Sequence, residues 1–258
     1  MRRCALLLLA VLASFVAVPL AAQTADEIVG KNLAATGAAK LKTVQSLRLT
    51  ANFDAGMAQG TLVQRQKRPN KLRRDLTFNN ITMVQAYDGH TGWQIVPFTG
   101  KTDPEAMDAE DQRTFQEDSE IDDSLSDYQK KGTTVELVGK EKVDGADTYQ
   151  LKITAKTGKV RNIYYDAQTF LVVKEIFKRK ANGMDVEVES RPTDYREVEG
   201  MKFPFRIDQQ ATNGEGSPLK IVLETVELNV PIDDSVFAKP APAPPPAAAP
   251  GGDKPLPK

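Results

Sequence analysis

The chain of 258 residues contains one cysteine, one histidine and one tryptophan. Each scarcity excludes something. Cys4 stands at the head of an apolar run, not at its end, so it is not placed for lipid attachment. Once that segment is removed, no disulfide, thiolate nucleophile or cysteine-bound zinc is possible. The lone histidine, His90, leaves no room for H-E-x-x-H, and neither G-x-S-x-G nor a phosphate loop occurs, so no catalytic residue is assigned and no enzyme is expected. Excess charge is scarce too, with 34 basic groups against 35 acidic. That balance gives no case for a nucleic-acid partner or for strong attraction to an anionic membrane.

What is present begins with an export plan. Arg2 and Arg3 precede an uncharged apolar run from Cys4 to Leu20, which gives way to Ala21 and Ala22. This is the layout of a secretory signal peptide over residues 1–22, and the run is short for a retained membrane span. At the other end, residues 239–258 are rich in proline and alanine and cannot bury enough surface to fold, so a disordered tail is expected. The domain between them spans 23–238, a size at which one large core is ordinary.

Within that domain the dominant period is two. Leu47, Leu49, Ala51 and Phe53 share one face of their segment, with Arg48, Thr50 and Asn52 opposite. Tyr149, Leu151 and Ile153 alternate with Gln150, Lys152 and Thr154, and Phe203, Phe205 and Ile207 repeat the pattern. About a dozen such runs are separated by turn signals such as "YDGHTG" and "VEGMK". The fold class is mainly β: one large antiparallel sheet with a dry and a wet side, curled into an incomplete barrel. The inward residues Leu47, Leu49, Phe53, Trp93, Ile95, Phe203 and Phe205 line either a filled core or a ligand cavity. Pattern alone does not separate the two.

Two segments break the period. Thr24 and Glu27 have capping-box spacing, and Ile28, Val29 and Leu33 follow on one side of a short helix. The stretch 103–131 is acidic, with Asp103 placed as a cap and Pro104 at the first helical position. Its sparse apolar residues, Met107, Phe115, Ile121 and Leu125, suit a cover laid over something else. The acidic run "EDSEIDDS" lacks the central glycine and closing glutamate of a calcium loop, so no metal is assigned, and no cofactor is expected. His90 sits in "DGHTG", a tight turn whose tip faces water, and Trp93 opens the strand that follows.

Three short motifs in order then carry a resemblance: "KRPN" (Lys67 to Asn70), "DGHTGW" (Asp88 to Trp93) and the closing "PIDDSVFAKPAPAPP". Together they resemble the LolA-like family, periplasmic carriers that sort lipoproteins to the outer membrane of Gram-negative bacteria. The resemblance implies an incomplete β-barrel with helices as a lid, and a latch to that lid from the arginine of the R-P-N motif, here Arg68. It implies lipoprotein acyl chains or another lipid as cargo, an inner-membrane donor, an outer-membrane acceptor and a periplasmic monomer. The alternative is a periplasmic sensor or regulatory module that binds lipid or lipoprotein without transport. The chain departs from the compact family pattern in its long acidic insertion and its prolonged tail.

Overall fold

The computed structural model describes residues 23–181 and 184–241. The expected signal peptide and residues 242–258 of the expected tail lie outside the described residues.

Helix α1 (Ala25–Thr36) opens on the expected capping box: Thr24 Oγ1 accepts from the Glu27 N–H, and the Glu27 carboxylate accepts from the Thr24 N–H. Six strands follow: β1 (Ser46–Asp54), β2 (Gln59–Lys67), β3 (Lys71–Phe78), β4 (Ile81–Tyr87), β5 (Gly92–Ile95) and the two-residue β6 (Glu105–Ala106). After helix α2 (Ala109–Asp118) come β7 (Thr134–Val143), β8 (Ala146–Thr154), β9 (Val160–Asp166) and β10 (Val172–Ala181). The last three are β11 (Met184–Val198), β12 (Met201–Ala211) and β13 (Leu219–Leu228).

All thirteen strands form one sheet, in the order β6-β5-β4-β3-β2-β1-β13-β12-β11-β10-β9-β8-β7. The chain thus makes two meanders, β1–β6 and β7–β13, fused where β1 pairs antiparallel with β13. The two free edges are β6 and β7, and the segment joining them in sequence is the insertion 107–133. A chain that must pass from one edge of a curled sheet to the other crosses its open side. The connectivity alone makes this insertion a cover.

The cover is less helical than its sequence suggests. Asp103 does not cap a helix and Pro104 is not its first residue, because Glu105 and Ala106 pair with Gln94 and Trp93 as β6. The cap is Asp108, whose Oδ1 accepts from the Glu110 and Asp111 N–H groups. The helix ends at Asp118, and turns carry the chain onward.

Burial is arranged as separate patches on the inner face, each headed by cover residues. Met107 and Phe115 pack with Leu72 and Tyr87. Ile121 joins Val44, Leu47, Phe205, Val226 and Leu228. Leu125 joins Ile28 and Val29 of α1 over Leu151, Ile153, Ile163 and Tyr165. Each side chain so buried contributes about 1.5–3 kcal/mol relative to exposure. Gly92 permits one of these contacts, since a Cβ there would meet Met107 Sδ at 2.6 Å.

Candidate ligand trough and its lid

Strand register assigns the inner face. On β1 it carries Leu47, Leu49, Ala51 and Phe53, opposite Gln66, Gln64, Leu62 and Gly60 of β2. These face Leu72, Arg74, Leu76 and Phe78 of β3, and then Tyr87, Gln85, Met83 and Ile81 of β4. From β13 and β12 come Val226, Leu228, Phe203 and Phe205, in the same cluster as Leu47 and Leu49. Five of the seven expected lining residues, Leu47, Leu49, Phe53, Phe203 and Phe205, therefore lie on one inner wall.

Trp93 and Ile95 do not. Trp93 pairs with Ala86 and Ile95 with Val84, so both stand on the face opposite Tyr87 and Gln85. There Trp93 is buried with Val84 and Ala86, and its indole N–H donates to the Phe237 carbonyl over 2.8 Å. The closing motif explains the placement. Asp234 forms ion pairs with Lys67 and Lys71, the Val236 carbonyl accepts from Arg73, and Phe237 is fully buried. This C-terminal strap covers an apolar patch on the outer side, and a period-two pattern does not announce such a patch. His90, by contrast, is exposed in its turn, where its N–H and that of Thr91 donate to Asp88.

The inner face has a covered and an open half. Leu72 is 0% exposed and Leu47 6%, with the lid residues Met107 and Phe115 packed on the first and Ile121 on the second. Toward the other strand ends the cover stops. Phe53, Leu62, Leu76, Phe78 and Met83 are only half-buried, and so are Ile207 and Ile221 from β12 and β13. Phe78 stacks on Phe98 with ring centroids 4.2 Å apart, and Phe98 remains 42% exposed. The lid thus covers one end of the inner face, and the apolar residues at the other end keep partial contact with solvent.

Charge holds the lid. Arg68 forks onto Asp122, Nη2 to Oδ1 at 2.6 Å and Nη1 to Oδ2 at 3.3 Å. The same guanidinium donates to the Val44 carbonyl (2.7 Å) and the Leu41 carbonyl (2.9 Å). One planar group thus ties the lid to the turn that leads into β1, as the fixed fork of arginine allows. Around the rim, Glu110 meets Lys180, Glu117 meets Lys159, Asp118 meets Arg74 and Asp127 meets Lys42, all at 3.0 Å or less. Five carboxylates of the insertion, Glu110, Glu117, Asp118, Asp122 and Asp127, are thus matched by bases from both walls. Arg68 holds the Asp122 carboxyl below its ordinary value, and Lys42 with Lys130 brings Asp127 to about 2.

Some residues of this site carried no sequence signal. Arg161 reaches from β9 to Ser124 of the lid and to Glu175 of β10, whose carboxyl burial pushes up despite that cation. Gln66 donates to the Asp118 and Glu120 carbonyls. In "LVQRQK" the inward glutamines Gln64 and Gln66 alternate with Arg65, so both faces read as polar and no inside is marked.

No curated protein matches the chain in sequence. A family model described as an uncharacterized protein matches residues 70–241, more than half of its length. Among solved structures, a DUF1329 family protein from Desulfovibrio piger is similar, with a TM-score of 0.56, 15% identity and coverage of 84% of this chain and 98% of that one. A LolA superfamily protein from Nitrosomonas europaea gives 0.53 and 16%, covering 84% and 99%. A domain named as a candidate outer membrane lipoprotein-sorting protein, from Vibrio parahaemolyticus, gives 0.51 and 11%, covering 82% and 97%. At such identities the likeness concerns fold. The chain belongs to the family of the model that spans residues 70–241, and its thirteen-stranded open sheet with a lid is the LolA-like fold.

Proposed function

We propose that this protein is an exported, periplasmic carrier that shelters the acyl chains of lipoproteins, or of a related lipid, and hands them to an outer-membrane acceptor. It acts by binding, as a monomer, and not by catalysis. The observation that supports this reading most is the half-open inner face, where Phe53, Leu62, Leu76 and Phe78 stay partly wet beside a lid held by ion pairs. An apolar face left wet costs free energy that a finished core would recover, and a greasy ligand recovers it instead. The lipoprotein-sorting name of the Vibrio domain, which shares the fold, agrees with that use.

Energetics explain the lid. A buried methylene contributes about 0.8 kcal/mol, so a chain of sixteen carbons is worth roughly 12 kcal/mol. Two such chains fully sheltered would exceed the practical ceiling of about 20 kcal/mol for non-covalent binding, and the carrier would not let go. Displacing Met107, Phe115 and Ile121 from the covered half, and breaking the Arg68–Asp122 pair, sets an opening cost against that gain. Discharge then passes chains directly to an acceptor and never through water.

Native mass spectrometry of the gently purified protein is the test. Bound lipid or lipoprotein that is lost on delipidation and regained on reconstitution is the expected result. A ligand-free protein that also refuses reconstitution removes the carrier function.

A further inference from the structure

The inner face of β1–β5 is apolar at both ends and polar across its middle. Among its described residues Arg74 is the one charged side chain, flanked along β3 by lid-covered Leu72 and half-open Leu76. Its Nε donates to Gln64 Oε1 over 2.7 Å, and its Nη2 reaches Asp118 Oδ2 over 3.0 Å. Its guanidinium carbon lies 5.1 Å from the Phe115 ring centroid. Gln85, cross-strand from Arg74, donates to Gln94 of β5. A cation and three neutral amides thus form a belt at the border between the filled and the open halves.

Asp118 is a replaceable partner. It is the last residue of α2, where the carboxylate faces the negative end of the helix dipole. When the lid lifts, Asp118 leaves and Arg74, 26% exposed in the closed form, loses its counter-charge and keeps the neutral amide of Gln64. An incoming anion restores the balance, and a neutral head does not.

We propose that Arg74, with Gln64, Gln85 and Gln94, is a headgroup site, and that the trough selects amphiphiles whose acyl tail ends in an anionic head, carboxylate or phosphate. The tail runs along Leu76, Leu62, Phe78 and Met83, and the head takes the place of Asp118 on the guanidinium. Ligand charge and lid position are then linked, because the ligand's anion and Asp118 compete for the same Nη2 of Arg74. The proposal rests on the lipid-binding reading and narrows its cargo to the free-lipid branch.

The test uses the delipidated full chain titrated calorimetrically with hexadecanoate, hexadecyl phosphate and hexadecanol. Exchange of a charge-assisted contact for none predicts that the better anion binds at least about tenfold tighter than the alcohol. The ratio of the two anions tells a fatty acid from a phospholipid source. Arg74→Gln should abolish the preference and leave hexadecanol binding in place, and Arg74→Lys should keep part of it. Asp118→Asn, which removes the competitor, should widen it. Equal affinity for all three ligands in the unaltered protein, or a preference that survives Arg74→Gln, overturns the headgroup site and leaves the carrier reading intact. Binding of none of the three overturns the headgroup site, and the carrier reading then rests on its own mass-spectrometric test.

Discussion

Arg68 and Asp122, 54 positions apart in sequence, meet in a two-bond fork across the mouth of the sheet. The pair joins the turn between β2 and β3 to the middle of the segment that bridges the two sheet edges. Whatever opens the trough must break it.

Arg68→Leu should therefore loosen the closed form. It strands the Asp122 carboxylate and frees the carbonyls of Leu41 and Val44, a loss of about 2 kcal/mol, or about thirtyfold in the open population. The only cysteine, Cys4, lies in the expected signal peptide, so Ile121→Cys places a unique and buried thiol on the lid of residues 23–258. Its modification rate should rise by that factor in Arg68→Leu, and cargo should discharge more slowly once the closed state is weakened. Unchanged rates in both assays would remove the latch.

The same thiol reads pH. The Asp122 and Asp127 carboxyls sit below their ordinary value of 3.8, Asp127 at about 2. A depressed carboxylate favours the paired form above its ordinary value, and that contribution fades as pH falls through the depressed one. Lid closure should hold steady from neutral pH to about 5 and weaken between about 4 and 2. Glu175 runs the other way, because its raised carboxyl favours the folded form below 4.5 and that contribution is lost as pH rises. A lid that closes more tightly on acidification would contradict the rim of ion pairs.

Salt should act on the same rim. The screening length falls from about 10 Å at 0.1 M to about 3 Å at 1 M, while the apolar lid contacts are not weakened. The Ile121→Cys rate should rise with ionic strength several-fold more than the global unfolding midpoint moves, as measured by circular dichroism.

Trp93 separates the two faces. Trp93→Phe removes the indole bond to the Phe237 carbonyl and should cost about 1 kcal/mol of stability, seen in urea unfolding, with lipid uptake unchanged. Leu76→Gln, on the open half of the inner face, should do the reverse: little loss of stability and a clear loss of uptake. Swapped outcomes would mean that the ligand binds on the outer side.

How far the sequence carried this depended on contrast. Strands such as Leu47 to Phe53 alternate greasy with charged, and their inward faces follow from period two alone. Trp93 follows the same rule yet faces outward, because the strap ending in Phe237 turns an outer patch into a second interior. Asp103 looks the better cap than Asp108 in sequence because a two-residue strand is too short to leave a periodic trace. Arg68 was legible only through its motif, and its partner Asp122 was one carboxylate among many until the fold set them side by side. Arg74 shows the deeper limit. A lone inward charge looks like an outward one unless the register of its neighbours is known.

The unclosed sheet has one more consequence. β7 ends it with ten residues that pair on one side only, with β8, among the described residues, and Leu137 and Val138 are exposed there. A bare margin of this kind can template the addition of a second molecule, and so on into a polymer. Here the pairing slips between Leu137 and Gly139, and Glu136, Lys140, Glu141 and Lys142 crowd the remainder with alternating charge. A sheet that stays unsealed has to guard its own border against copies of itself.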